Sequence, residues 1–412
     1  MLTEFLTAGR RAQRSLSQVS AADRDQLLIH MAILVESHQD RILEANRIDL
    51  TTATQSGLDD ARLARLALSP TKLQALAQGL RTVAQLPDPL GRGTRWTLPN
   101  GLALEQVRVP MGVIGLIYES RPGVTIEATS LALKSGNAII LRGGREAQQS
   151  NQALASLWHQ ALQHVGIPSE AVQLLTDPDR NLALQLMHLQ GLDLLIPRGG
   201  SSLIRTVVDE ATVPVIETGI GNCHLYVDRQ ANLEMAVKIL LDGKIGNPAV
   251  CNALETVLIH RDIKDAFIPQ AVKTLEPYGV TWHGDAEVTN LVAQAVLATE
   301  SDWAEEYLGL HLAARVVADF DEALEHISRY GSGHSEAIVT DHYPTGQQFL
   351  KSVDAAVVYW NASTRFSDGH EFGLGAEVGI STQKLHARGP MGLEALTTWK
   401  TVAYGDGQTR DF

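Results

Sequence analysis

Cys251 lies in the stretch Gly246-Asn-Pro-Ala-Val-Cys-Asn-Ala-Leu-Glu-Thr256, directly before the apolar run Val257-Leu-Ile259. A thiol at an irregular turn of small residues can face an open cleft. Once partly ionised it is the strongest side-chain nucleophile and forms a thioester with an activated acyl group or an aldehyde carbon. By position alone the alternative is a small buried hydrophobe, the common fate of cysteine.

Two further stretches carry chemistry. Ile139-Ile-Leu-Arg-Gly-Gly-Arg-Glu146 puts Arg142, Gly143, Gly144 and Arg145 between a strand and a helix, where doubly wound sheets bind nucleotides and arginine matches phosphate geometry. Leu195-Ile-Pro-Arg-Gly-Gly-Ser-Ser202 repeats the pattern, with Gly199, Gly200 and Ser201 heading a helix as a nest for a pyrophosphate or a nicotinamide ring. For both, the alternative is an ordinary glycine turn. No G-x-G-x-x-G or phosphate-loop signature is present, and no cluster has metal-ligand spacing.

The elements that must position these residues follow from periodicity. The first eighty or so residues are helical, with Ser20 capping a helix whose apolar face is Leu27, Leu28, Met31, Leu34 and Val35. Residues 93–109 form a hairpin, with Asn100-Gly101 read as a two-residue turn, and this arm is expected to serve oligomer contacts. From Gly112, short apolar strands (Val113 to Tyr118, Ala138 to Leu141, Val172 to Leu175, Leu192 to Ile196, Val215 to Glu217, Leu225 to Val227) alternate with helices ending at Gly136, Gly166 and Gly191. A second series runs from Leu233 to Tyr359. The pattern predicts an α/β chain of two doubly wound parallel-sheet domains plus the hairpin arm. The expected divisions are 1–222 for cofactor, 223–385 for catalysis around Cys251, and 386–412 as a C-terminal segment able to act as an oligomerisation strand.

At 412 residues with 44% hydrophobic and 20% charged content, the chain has the size and composition of a two-domain enzyme. A net charge of -13 argues against nucleic-acid or anionic-membrane partners, so an anionic ligand must be met by local arginines and amides. Two cysteines make no disulfide framework, and no apolar run approaches the ~20 residues of a membrane span; a cytoplasmic protein is expected.

The order of Val109-Pro-Met-Gly-Val-Ile-Gly115, Ser135-Gly-Asn-Ala-Ile-Ile-Leu-Arg142, Val215-Ile-Glu-Thr-Gly219 and the Cys251 stretch resembles the aldehyde dehydrogenase superfamily. Within it, Ile117-Tyr-Glu-Ser-Arg-Pro122, Asn361-Ala-Ser-Thr-Arg-Phe366, Gly379-Ile-Ser-Thr382 and His386-Ala-Arg-Gly-Pro-Met-Gly392 are similar to hallmark stretches of the glutamate-5-semialdehyde dehydrogenase (γ-glutamyl phosphate reductase) family, across nearly the whole chain. The resemblance implies an aldehyde-dehydrogenase-like fold and NADPH-dependent reduction of L-glutamyl 5-phosphate to L-glutamate 5-semialdehyde and phosphate, the second step of proline biosynthesis from glutamate. It sets Cys251 at the nucleophile's position. Arg142 stands where many relatives have a lysine near the adenosine ribose. Arg145 stands near a glutamate of NAD-preferring members, and an arginine there pairs with a 2′-phosphate, which implies NADPH/NADP. Glu306 resembles the glutamate that holds the nicotinamide ribose. Glu217, grouped with the cofactor-facing residues, matches the glutamate that activates water in hydrolytic relatives, or else merely caps neighbouring amides.

The superfamily's oxyanion asparagine should lie near Glu119 or Ser120, and neither is asparagine; the Cys251 amide and other donors would take that task. The substrate's charged groups and phosphate call for Arg121, Arg365, Ser381 and Thr382. Lys384, His386 and Arg388 are either a phosphate exit site or a solvated loop. Expected partners are the small-molecule substrate, glutamate 5-kinase as a donor of the unstable acyl phosphate, and further copies in a homo-oligomer. Two rivals stand beside this reading: a hydrolytic NAD(P)-dependent aldehyde dehydrogenase using Glu217 as base, and a non-catalytic binder that keeps the fold.

Overall fold

Three of the five leading helices begin with the same device, a short polar side chain that accepts from the amide three residues on. Ser20 takes the Asp23 amide (3.1 Å), Asp59 the Arg62 amide (2.8 Å) and Ser69 the Lys72 amide (3.1 Å), each satisfying a donor that the helix leaves unpaired. The computed structural model describes residues 2–177 and 179–410. Helices span Leu2–Leu16, Ala21–Ser37, Gln39–Gln55, Asp60–Leu66 and Pro70–Gln85. Of the apolar face expected on the second, Leu27, Leu28, Met31 and Val35 are fully buried and Leu34 is half-buried.

The described chain divides into two units: residues 1–218, 373–379 and 391–412 in one, and 219–372 and 380–390 in the other. Positions 411 and 412, within the expected C-terminal segment, lie outside the described residues.

In unit 1, strands β1 (Gly93–Thr97) and β2 (Ala103–Pro110) form the expected antiparallel hairpin. Its turn differs from the expected one. The Gly101 amide donates to the Leu98 carbonyl (2.9 Å), which puts Pro99 and Asn100 at the centre, and Gly101 follows at φ +85°. Proline's fixed φ suits the first central position, and glycine takes the left-handed residue that closes a three-residue hairpin loop. The C-terminal strand Thr397–Tyr404 pairs with the other edge of β2 in the same chain.

A four-stranded parallel sheet follows, from β3 (Val113–Tyr118), β4 (Ala138–Gly143), β5 (Val172–Leu174) and β6 (Leu194–Arg198), in the order β5-β4-β3-β6. Every residue of β3 is buried, as a strand covered on both faces requires. Val215 to Glu217, read as a strand, makes only one bridge, Val215 to Leu195. Pro214 contributes no amide, which limits the pairing there.

Unit 2 is built on seven parallel strands: β7 (Cys223–Val227), β8 (Leu254–His260), β9 (Thr281–Gly284), β10 (Val296–Leu297), β11 (His311–Val317), β12 (Ser335–Val339) and β13 (Val357–Trp360), in the order β10-β9-β11-β8-β7-β12-β13. The helix Leu233–Ile245 leads from β7 toward β8 and packs Ala236 and Leu240 into the core with Val257, Ile259 and Leu225. Among the described residues no helix is long and apolar enough to cross a membrane.

Candidate active site

The helix Leu233–Ile245 and strand β8 are joined by residues 246–253, and Cys251 sits in this turn, partly exposed. Cys223, by contrast, begins β7 and is buried, and burial pushes its thiol well above the ordinary range. Its Sγ lies 3.3 Å from the Cys251 carbonyl and donates to it. Cys251, Cys223 and His334 stand at or just before the starts of β8, β7 and β12, neighbours in the sheet, so they share its amino-terminal edge.

Gly221 fits closely against this turn. A Cβ built there would lie 1.5 Å from the Cys251 carbonyl oxygen, so no larger residue is accommodated without moving backbone. Its amide donates to Glu306 Oε1 at 2.7 Å. Asn252, next to the thiol, is held on three sides. Its Nδ2 donates to the carbonyls of Arg365 (3.1 Å) and Ser367 (2.9 Å), its own carbonyl accepts from Thr364 Oγ1 (2.8 Å), and its Oδ1 accepts from the Arg365 guanidinium. Arg365 is thereby drawn to the Cys251 turn. Ser381 is buried, and Thr382 packs on Gly219, whose amide donates to the Ile380 carbonyl (2.7 Å). Unit 2 thus gathers Cys251, Glu306, Arg365, Ser381 and Thr382. The basic run does not stay open: Arg388 pairs with Asp354 at 2.8 Å and Lys384 joins the same carboxylate.

Unit 1 holds the remaining candidates at the carboxyl ends of β3, β4 and β6. Arg145 is exposed and, with Gly143 and Gly144, lines an open cleft shared with Gln148, Gln152 and Asp177. Backbone amides, an arginine and two glutamines against one acid suit an anionic, hydrogen-bonding ligand. Arg142 is turned inward, donating to the carbonyls of Gly143 (2.7 Å) and Asp179 (3.3 Å). Gly200 precedes the helix Ser201–Glu210, and its amide donates to Glu119 Oε2 at a long 3.4 Å. Gly199 is pressed between Glu119 and Leu203. Arg121 follows Ser120, whose φ is +46° and whose amide and hydroxyl both donate to Glu146 Oε1. Glu217 is half-buried beyond β6.

Residues 2–295 match the family described as the aldehyde dehydrogenase family. The chain belongs to that family. Among its curated relatives, the gamma-glutamyl phosphate reductase of Moorella thermoacetica is 52% identical over 412 residues, 99% of each chain. That of Thermus thermophilus is 51% identical over 409 residues, again 99% of each. The crystal structure of gamma-glutamyl phosphate reductase from Thermotoga maritima superposes with a TM-score of 0.96 at 44% identity, covering 100% of both chains.

For this member of the aldehyde dehydrogenase family, the sequence alone singled out the thiol but missed its supports. Asn252 carries a signal, since an amide side chain beside the thiol can both donate and accept. Gly221 sits in Gly219-Ile-Gly-Asn222, too short for a nucleotide fingerprint; its use is close backbone approach. Behind them runs a buried polar chain: His334 Nδ1 lies 3.7 Å from Cys223 Sγ and 2.8 Å from Ser335 Oγ, which bonds Ser367 Oγ at 2.6 Å, which bonds Tyr359 OH at 2.8 Å. Burial holds His334 down to about 4, so it is neutral at physiological pH.

Proposed function

We propose that this chain reduces L-glutamyl 5-phosphate to L-glutamate 5-semialdehyde with NADPH. The observation that carries this reading is identity of about half, end to end, with proteins named gamma-glutamyl phosphate reductase, in a chain whose partly exposed Cys251 is held in a glycine-backed turn. The Cys251 thiolate attacks the acyl carbon, the C–O bond to phosphate breaks, and inorganic phosphate leaves with the electron pair. When bound, the reduced cofactor supplies a hydride to the resulting thioester carbon. The Cys251 sulfur then departs from the tetrahedral adduct as thiolate and the aldehyde carbonyl forms.

The chain's own residues do the rest. Amides at the Cys251 turn stabilise the developing oxyanion, and Arg365, Arg121, Ser381 and Thr382 hold the substrate's charged ends. Arg145, with Arg142, Gly143 and Gly144, holds the phosphorylated ribose of the cofactor. Gly199, Gly200, Ser201, Glu217 and Glu306 orient its nicotinamide half. Because phosphate is the acyl partner, Glu217 is assigned to orienting the cofactor and not to activating water, and the hydrolytic rival is not favoured by the names of the close relatives.

The test is the reverse reaction. Glutamate 5-semialdehyde and NADP should give NADPH only when phosphate is present; full-rate oxidation without phosphate would establish the hydrolytic reading instead. Cys251→Ser should abolish turnover in both directions while leaving NADPH binding intact, and near-full activity in that variant would refute the covalent route.

A further inference from the structure

A lysine and a glutamate with no part in the reaction above meet in complete burial at the foot of the Cys251 turn. Lys244 is next to last in the helix that precedes the turn and Glu255 is second in β8 after it; Lys244 Nζ donates to Glu255 Oε2 at 2.6 Å and to the Leu254 carbonyl at 2.8 Å. Both side chains are 0% exposed. The pair therefore ties the end of the helix before the turn to the start of the strand after it.

Glu255 does a second thing. Its Oε1 accepts from the Leu308 amide at 3.2 Å, and Leu308 is one of the few non-glycine residues with a left-handed backbone, φ +52°. Two residues earlier, Glu306 Oε1 accepts from Gly221, and Gly221 leans on the Cys251 carbonyl. The contacts run as a chain from Lys244 through Glu255, Leu308, Glu306 and Gly221 to Cys251. A buried ion pair rarely stabilises a fold more than well-packed apolar side chains of the same volume, so its value lies in the single geometry it imposes. A leucine held at positive φ persists only where its surroundings fix it.

We propose that Lys244 and Glu255 are positioning residues, which set the height of the Cys251 thiol and the place of Glu306 by clamping the two ends of the nucleophile turn and the Leu308 bend at one point. This rests on Cys251 being the nucleophile.

The experiment compares Lys244→Met, Glu255→Gln and the double variant Lys244→Met/Glu255→Leu in the full chain. It records thermal unfolding, kcat and KM in the reverse assay, and the rate at which iodoacetamide alkylates Cys251. The single lysine variant should melt lower, because it strands a buried charge. The double variant should recover the parent's melting temperature, yet lose about tenfold or more in kcat with KM little changed, since a displacement on the ångström scale costs that much. Its Cys251 alkylation rate should change in step. A double variant with the parent's melting temperature, kcat and alkylation rate overturns the proposal, as does one whose kcat falls while alkylation is untouched. Should the double variant lack a cooperative melt, Glu255→Gln decides by the same two readouts, because it keeps the shape and an acceptor for Leu308 while it removes the charge that clamps Lys244. Cys251→Ser run alongside separates the two claims: turnover in that variant defeats the covalent reading, whereas its inactivity beside a fully active double variant defeats the clamp alone.

Discussion

Two cysteines in one unit have opposite surroundings, and the difference is physical. Cys223 is enclosed, its thiol kept protonated by burial, and it acts as a donor to the carbonyl of Cys251, which stays partly open. Cys251 was legible from the sequence because small residues and an apolar run bracket it. Lys244 and Glu255 were not: one lies near the end of a helix and the other near the start of a strand, so no single period links them, and only the turn between them brings them together. Arg145 was legible as a cation beside glycines, but its exposure and cleft were not. If Arg145 meets the 2′-phosphate, Arg145→Glu should raise KM for NADPH by about tenfold or more, as the loss of a charge-assisted contact requires, and leave KM for NADH nearly unchanged. Parallel titrations with the two cofactors measure this, and equal effects on both would place Arg145 elsewhere.

At the scale of elements, the Cys251 turn is supported by backbone as much as by side chains. Gly221→Ala must push the segment before β7 away from Cys251, since its methyl carbon and the carbonyl oxygen cannot share 1.5 Å. The expected result is a loss of about 10–100-fold in kcat, with a fall in melting temperature; an alanine variant of parental kcat would show that the segment yields freely. Strands β3 and β4 were readable because they are apolar runs, whereas β9 and β10 are four and two residues long and carry too little pattern to register. The hairpin turn was misread for a related reason. Asn-Gly suits a two-residue loop, but the proline before it favours a type I turn and shifts the glycine to the closing position.

For the whole molecule, buried titratable groups link stability to pH in opposing senses. His334, lowered to about 4 by burial, is protonated more readily in the unfolded chain between pH 4 and 6.5, so its contribution is lost as pH falls through that window. Glu255, pushed up by burial and drawn back by Lys244, binds its proton more tightly when folded and opposes this. The clean measurement is a difference. From pH 4 to 6.5, the urea-unfolding stability of the parent relative to His334→Gln should rise by up to about 3 kcal/mol, the worth of a shift of this size; a difference that stays flat would show that His334 is solvated. The alternation that announced two parallel sheets was plain in the sequence, but the place of Thr397–Tyr404 was not, because pairing across almost three hundred residues leaves no local trace.

That last strand has a consequence during synthesis. Unit 2 is drawn from a nearly continuous stretch, residues 219–372 with 380–390, whereas unit 1 waits for residues 391–410. On the ribosome the first two hundred residues therefore emerge early yet hold β2 with one edge unclosed, and the middle of the chain can finish folding before its beginning does.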